Sequence, residues 1–474
     1  MKRNGRAGSC DAGYTWADLQ RSRLVHAAFH AVFACLLIAA LWINSAISQL
    51  VAQAGALESA FNPPLGPASG VGPVVRAIAR GPANRLVIGG DFTTLNAQPA
   101  NCVAVLLANG AFDPSFALSP TLIGPGSAVR AVAADTNGWY VIAGVFDIPN
   151  QRFLTRLSPG GVHDSAYAYG PSGPNGSVDA LRVTSDNKLL VGGSFTAPRA
   201  RLARYTGLGT VDGSFSPGNT FSNPVRALAV QSDGRIIAGS SHLVARLTVE
   251  GARDPSFDSG SGPNGEVLDI ALQSDGKILI GGTFTEVNGT SAAYLARLLP
   301  SGAVDGSFAP PGGPDAWVQS IVLQTDGRIV VAGAFTMVNG LPRARIARLT
   351  DAGEIDSTFY SEAGTDDAVL AMVRQSNGLL AVGGGFSTVN GAARTGIARI
   401  GSTDMKLESL LVQANGVARL TLRGQAALGY LLEASEDFPS WSMVSTGITP
   451  VFSFSVQDGS STSHPLRFYR VQSR

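Results

Sequence analysis

Charged residues at a fixed spacing are the first candidates for chemistry in this sequence. Arginine and aspartate recur eight residues apart as Arg156/Asp164, Arg204/Asp212, Arg246/Asp254, Arg297/Asp305 and Arg348/Asp356. Such a set could form a catalytic or ligand-binding ring. The constant offset across a hairpin instead predicts a structural ion pair in every unit. Arg399 has no acid eight residues on, and Glu58 has no arginine eight residues before it, so these two are predicted to meet. Val105 replaces the arginine of the first unit, which predicts that Asp113 lacks that partner. A second group lies in variable segments: Asp315 with Trp317, Arg343 with Arg345, Arg394, and Asp366 with Asp367. A tryptophan beside polar groups can stack on a sugar or anchor a protein; the competing reading packs Trp317 between units and leaves the charges solvated. His163, His242 and His464, the histidines beyond residue 54, have no metal-ligand spacing. There is no G-x-S-x-G elbow and no P-loop. Asp-Gly pairs such as Asp275-Gly276 offer one carboxylate per turn, too few for a calcium cage, and are read as hairpin turns. No cofactor or metal is expected, while paired-carboxylate chemistry stays open.

The elements that must carry these residues are repeats. An acid three positions before an aromatic occurs as Glu58…Phe61, Asp113…Phe116, Asp164…Tyr167, Asp212…Phe215, Asp254…Phe257, Asp305…Phe308 and Asp356…Phe359. A Gly-Gly-x-Phe-like phrase ends at Phe92, Phe146, Phe195, Phe284, Phe335 and Phe386, with a degenerate copy at Ala238-Gly239-Ser240-Ser241. One unit, residues 317–359, reads as four short strands. An alternating segment leads to the Asp326-Gly327 turn, a buried run follows from Ile329, and Asp351-Ala352-Gly353 turns the third strand into the fourth. Four strands at this period predict an all-β, seven-bladed β-propeller. A β-solenoid or a row of small domains is the competing arrangement, but units this short cannot bury a core alone. The strand around Leu57–Phe61 is expected to complete the last blade and leave no open edge.

The pattern D-x-S-F…Q-S-D-G-K-I-L-I-G-G-T-F…N-G…L-A-R-L resembles the delta-60 repeat β-propeller family of bacterial extracellular proteins. It is carried best by Asp254-Pro255-Ser256-Phe257 and Gln273 to Phe284. The resemblance covers about residues 57–401 and departs most at Ser240-Ser241-His242 and at Phe146-Asp147-Ile148-Pro149. It implies a propeller on a secreted or surface protein and carries no established catalytic residues to transfer to this sequence.

Composition agrees with short strands and tight turns. The chain of 474 residues holds 57 glycines, 45% hydrophobic residues and only 15% charged residues. A net charge of +1 argues against a nucleic-acid partner. A basic stretch, an apolar run over about Ala27 to Ile43, and Ala52-Gln53-Ala54 mark residues 1–54 as a cleaved secretory signal, with an uncleaved anchor as the alternative. Without them the chain carries 30 basic and 32 acidic residues, a net charge of −2, and one cysteine, Cys102. Residues 405–474 change pattern and close on Phe468-Tyr469-Arg470-Val471. They look like the C-terminal β-module of exported repeat proteins, a small β-sandwich-like domain.

These readings converge on a secreted or cell-surface propeller acting as a non-enzymatic binding or scaffold protein through its loop-rich face. Its partner would be an extracellular protein or a glycan. Two alternatives remain: a polysaccharide-active enzyme using loop carboxylates, and a structural surface component without a discrete ligand.

Overall fold

The computed structural model describes residues 55 to 473, except 56, 59–60, 68–71, 119–122, 124–126, 146–152, 166, 168–172, 309–311, 360–363, 377, 402–405, 414–416, 424–428, 437–439, 449–452 and 459–466. Residues 1–54, expected from the sequence to be a secretory signal, the irregular Phe146-Asp147-Ile148-Pro149 and His464 lie outside the described residues.

The fold is all-β. In the unit of Val318–Leu323, Ile329–Gly333 and Ile346–Leu349, the three strands pair antiparallel in that order. Val318 lies opposite Gly333, and Ile329 opposite Leu349. The Asp326-Gly327 turn joins the first two strands, with Gly327 at φ 85°, a conformation glycine adopts without steric cost. The expected fourth strand is much shorter. Its segment meets the third strand at an isolated bridge, Leu349 with Ile355, and equivalents recur as Leu298 with Val304 and Leu247 with Arg253. The cause is local. In each Asp-x-Ser/Thr-aromatic segment the aspartate accepts a hydrogen bond from the backbone two residues on, as Asp305 Oδ1 does from Ser307 N at 3.0 Å. That curls the chain into a turn and ends the ladder.

The same arrangement recurs with first strands Val74–Arg80, Ala128–Ala134, Val178–Val183, Val225–Val230, Val267–Leu272, Val318–Leu323 and Val369–Arg374. Each first strand packs beside the next, and Val74–Arg80 packs beside Val369–Arg374. The apolar cores lie between consecutive sheets: Leu279 and Leu295 of one unit cluster with Val318, Ile321 and Phe335 of the following one. Val75 and Ile88 cluster in the same way with Ala381 and Ile397 from the far end of the repeats. Phe284, Phe335 and Phe386 are at most 1% exposed, and burying such a side chain stabilises by about 1.5–3 kcal/mol.

The Gly-Gly pairs have two separate tasks. A Cβ on Gly281 would stand 2.8 Å from Val318 Cγ1 of the following unit, and one on Gly383 would stand 2.6 Å from Val75 Cγ1. The first glycine therefore lets sheets approach. A Cβ on Gly282 would stand 1.9 Å from the Glu266 carbonyl oxygen. The second glycine makes room for a β-bulge in the adjoining first strand.

Residues 406–473 form two three-stranded sheets. Ala418–Arg423 lies between Lys406–Val412 and Ser453–Asp458, and Gly429–Ser435 lies between Ser442–Ile448 and Phe468–Ser473. Leu420 and Leu422 of one sheet share a core with Leu432, Ala434, Tyr469 and Val471 of the other.

Candidate functional site

The repeated arginines sit on the third strands and are saturated. Arg297 Nε donates to Asp305 Oδ2 at 2.8 Å, and its Nη2 donates to Ser307 Oγ at 3.2 Å. Phe308 lies 4.8 Å from the guanidinium, and Nη1 donates to the Asp351 carbonyl of the next unit. Arg156, Arg204, Arg246 and Arg348 make the same pairs with Asp164, Asp212, Asp254 and Asp356. Burial pushes the Asp305 carboxyl up, but hydrogen bonds from Ser307 and Arg297 outweigh it and hold it at about 2. Arg399 donates to both carboxylate oxygens of Glu58, at 2.6 Å from Nη2 to Oε1, and to the Ala108 carbonyl of the first unit. Leu57 bridges Ile400 where other units bridge their own fourth segment.

Asp113 has Val105 where the other units have the third-strand arginine, and a different cation meets it. Arg85 pairs with it at 2.9 Å. The cation after the first turn reaches the fourth-segment aspartate elsewhere too, as Arg328 reaches Asp356 at 2.8 Å. The eight-residue offset does not reveal this second cation, because it belongs to a different hairpin.

The variable-loop residues fall at two corners. Asp315 Oδ1 accepts from Thr336 N at 2.7 Å and Met337 N at 3.0 Å, and Oδ2 accepts from Thr336 Oγ1 at 2.6 Å. Asp366 does the same for Ser387 and Thr388 in the following unit. For both carboxyls burial works upward, yet these bonds prevail and hold them below the usual carboxylate range. Each thereby fixes an inter-unit loop to a small hairpin, Met337–Val338 with Leu341–Pro342 or Thr388–Val389 with Ala392–Ala393. Asn264 occupies this position one unit earlier, accepting from Thr285 N and Glu286 N. Arg343, Arg345 and Arg394 donate to carbonyls within their own hairpins, those of Pro342, Ala334 and Ala393. Asp367 Oδ1 accepts from Ala368 N at 2.6 Å. Trp317 is half-buried, and its carbonyl accepts from Ala334 N at 3.1 Å.

The first strands surround a cavity of about 990 Å³ that the sequence did not single out. In each first strand the residue after the opening valine is bulged, as the register shifts at Val75/Ala77, Val129/Ala131 and Val225/Ala227 record. Among these bulged residues, Arg76, Arg130, Asp179 and Arg226 line the cavity. Arg76 pairs with Asp91 at 2.6 Å, Arg130 with Asp179 at 3.4 Å, and Arg226 with Glu266 at 3.1 Å. Deeper along the strands stands Asp269. Its Oδ1 accepts from Ile270 N at 2.8 Å and its Oδ2 from Ile321 N of the next unit at 2.7 Å. Burial raises this carboxyl to about 6, against the pull of those bonds and of Arg182. The second glycine of each pair was the available signal, because it marks the bulge opposite.

Among the described residues no group of three histidine, cysteine or acidic side chains gathers in metal-binding geometry. Burial pushes the Cys102 thiol up to about 11, so it stays protonated at neutral pH.

Five segments match the family model described as a domain of unknown function (DUF5122) beta-propeller: residues 82–116, 184–215, 231–257, 273–308 and 324–359. These five segments are similar to β-propeller repeats. No curated protein matches the chain. Similar solved structures include the extracellular domain of BT4673 from B. thetaiotaomicron, described as a candidate one component system. It is 12% identical at a TM-score of 0.45, with 83% of this chain and 49% of that one covered. The chain thus spans about half the length of that relative. Inactive virginiamycin B lyase from Staphylococcus aureus is 12% identical at 0.48, covering 72% and 98%. YCF48 bound to D1 peptide is 10% identical at 0.48, covering 75% and 99%. No activity transfers from such distant likenesses. No helix among the described residues is long and apolar enough to cross a membrane.

Proposed function

We propose that the protein is a secreted or cell-surface seven-bladed β-propeller over residues 57–401, followed by a β-sandwich-like module over 405–474, and that it is a non-enzymatic binding or scaffold protein. Its partner, an extracellular protein or a glycan, meets the loop-rich face. The blade count is supported by the cyclic neighbourhood of the first strands and by Gly383 against Val75. Arg399, reaching both Glu58 and the Ala108 carbonyl, supports it too. One observation carries the binding reading. Asp315 and Asp366, two acids of the candidate loop face, are committed to holding loops to hairpins. A carboxylate bound by amides and held low is a poor general acid, whereas rigid loops make a good recognition surface.

A glycan array combined with a hydrolysis screen on the full chain tests this. Binding without turnover is expected. Turnover abolished by Asp366→Asn or Asp367→Asn overturns the reading. The enzyme reading has one observation of its own: Asp269, a cavity-lining carboxyl raised to about 6, is in the range of a general acid. Turnover abolished by Asp269→Asn would establish that alternative.

A further inference from the structure

The arginines of the central cavity divide into two sets. Arg76, Arg130 and Arg226 are bulged residues near the starts of their strands, the end that carries the loop-rich face, and each has a carboxylate partner. Arg80 and Arg374 are the last residues of Val74–Arg80 and Val369–Arg374. Four residues of strand separate Arg80 from Arg76, about 13 Å, so this pair lies toward the opposite end of the cavity, which both line.

Neither the Arg80 nor the Arg374 side chain makes a hydrogen bond or ion pair with protein among the described residues. The Nε of Arg374 is buried without a partner. Asp326 attracts Arg374 from a distance, but its own Oδ2 is 2.9 Å from Arg328 Nη1. Arg80 and Arg374 end neighbouring first strands at the same repeat position, and the charge of Arg80 opposes that of Arg374. The two strand ends cannot drift apart freely, because the turn beyond each is tied to the other. Asn84 Oδ1 accepts from Ser376 N at 3.1 Å and Ser376 Oγ at 2.7 Å, and Gln375 Nε2 donates to Asn84 O at 3.3 Å. Arg182, near the same end of its strand, gives Nε and Nη2 to the Leu228 carbonyl and also has no carboxylate in contact.

Two like charges held together at a cavity wall, one of them half-buried, repel unless an anion lies between them. Planar guanidinium groups suit the oxygens of phosphate and carboxylate. We propose that Arg80 and Arg374 form a binding site for a small anion of two or more negative charges, a phosphate or a polycarboxylate, which enters the cavity from the end opposite the loop-rich face. This site is separate from the loop-face surface and can fail or stand without it.

Isothermal titration of the full chain with inorganic phosphate and with citrate tests the site, with acetate as the single-charge comparison. One binding event per chain with phosphate or citrate is expected, and the probe that binds tells phosphate from polycarboxylate chemistry. Arg374→Gln should weaken Kd at least tenfold, and Arg80→Gln/Arg374→Gln should abolish binding. Arg76→Gln, which removes an arginine already paired with Asp91, should leave Kd within twofold. Arg80 is exposed, so Arg80→Gln keeps the test open if Arg374→Gln does not fold. No binding of either probe to the full chain, or equal binding by Arg80→Gln, overturns the proposal.

Discussion

The outer arginines and the cavity arginines occupy the same sheets under opposite rules. On the third strands each arginine has a carboxylate, a neighbouring unit's carbonyl or an aromatic face, and Arg348 is 0% exposed. On the first strands the arginines are half-open, differ from unit to unit, and are only partly matched by acids. Repetition goes with structural saturation; irregularity goes with groups that retain binding capacity. The sharpest way to break this comparison is Arg348→Met. It strips Asp356 of its buried partner and should cost about 3 kcal/mol, read as a lowered urea midpoint. Arg348→Met/Asp356→Asn should recover part of the loss. A cost below ~1 kcal/mol would erase the distinction between the two sets.

The next effect concerns Asp269. Its folded pKa of about 6 lies above the ordinary carboxylate value. The folded state therefore holds the proton more tightly than the unfolded chain. That contribution is full below about pH 4 and is lost as pH rises through 6. Melts from pH 4 to 7 should show stability falling by on the order of 2 kcal/mol, and Asp269→Asn should flatten the curve. Asp254 and Asp305, held at about 2, act in a lower window. Their stabilisation is present above about pH 4 and fades as pH falls toward 2. A wild-type curve already flat from pH 4 to 7 would show that the channel carboxyl is not strained.

The outer belt was legible because an eight-residue offset survives in the sequence whatever the ring does. The turns were legible because Asp-Gly has one strong local preference. The cavity was not. Which side chain of a first strand faces the axis depends on a bulge and on neighbours about 50 residues away; Arg80 and Arg374 share one repeat position, but the other units fill it with uncharged residues, and Arg182 sits one residue earlier. The loop acids Asp315 and Asp366 stood out only as charged residues of variable segments, not as equivalent positions of two units. Their commitment to backbone amides could not be read, because the hairpins that they hold lie 21 residues on. Asp366→Ala frees Ser387 N and Thr388 N at a partly solvated corner. It should cost about 1–2 kcal/mol and speed amide exchange at those two residues, while Asp315→Ala does so one unit earlier. Unchanged exchange would return these acids to the pool of free ligand-binding groups.

The smallest expected effect sharpens the comparison from the cavity side. Arg76 pairs with Asp91 at 2.6 Å, but its side chain is 42% exposed. An open pair gains little because water screens the attraction and the long side chain loses freedom on being held. Arg76→Ala should therefore shift stability by less than about 1 kcal/mol, well under Arg348→Met, although both remove an arginine in close contact with an aspartate. Geometry alone would rank Arg76 the stronger, since its contact is the shorter of the two. Equal losses in the two variants, measured at one pH and salt, would mean that contact distance governs these pairs. A several-fold difference would mean that burial does, which is the property that separates the outer belt from the cavity wall.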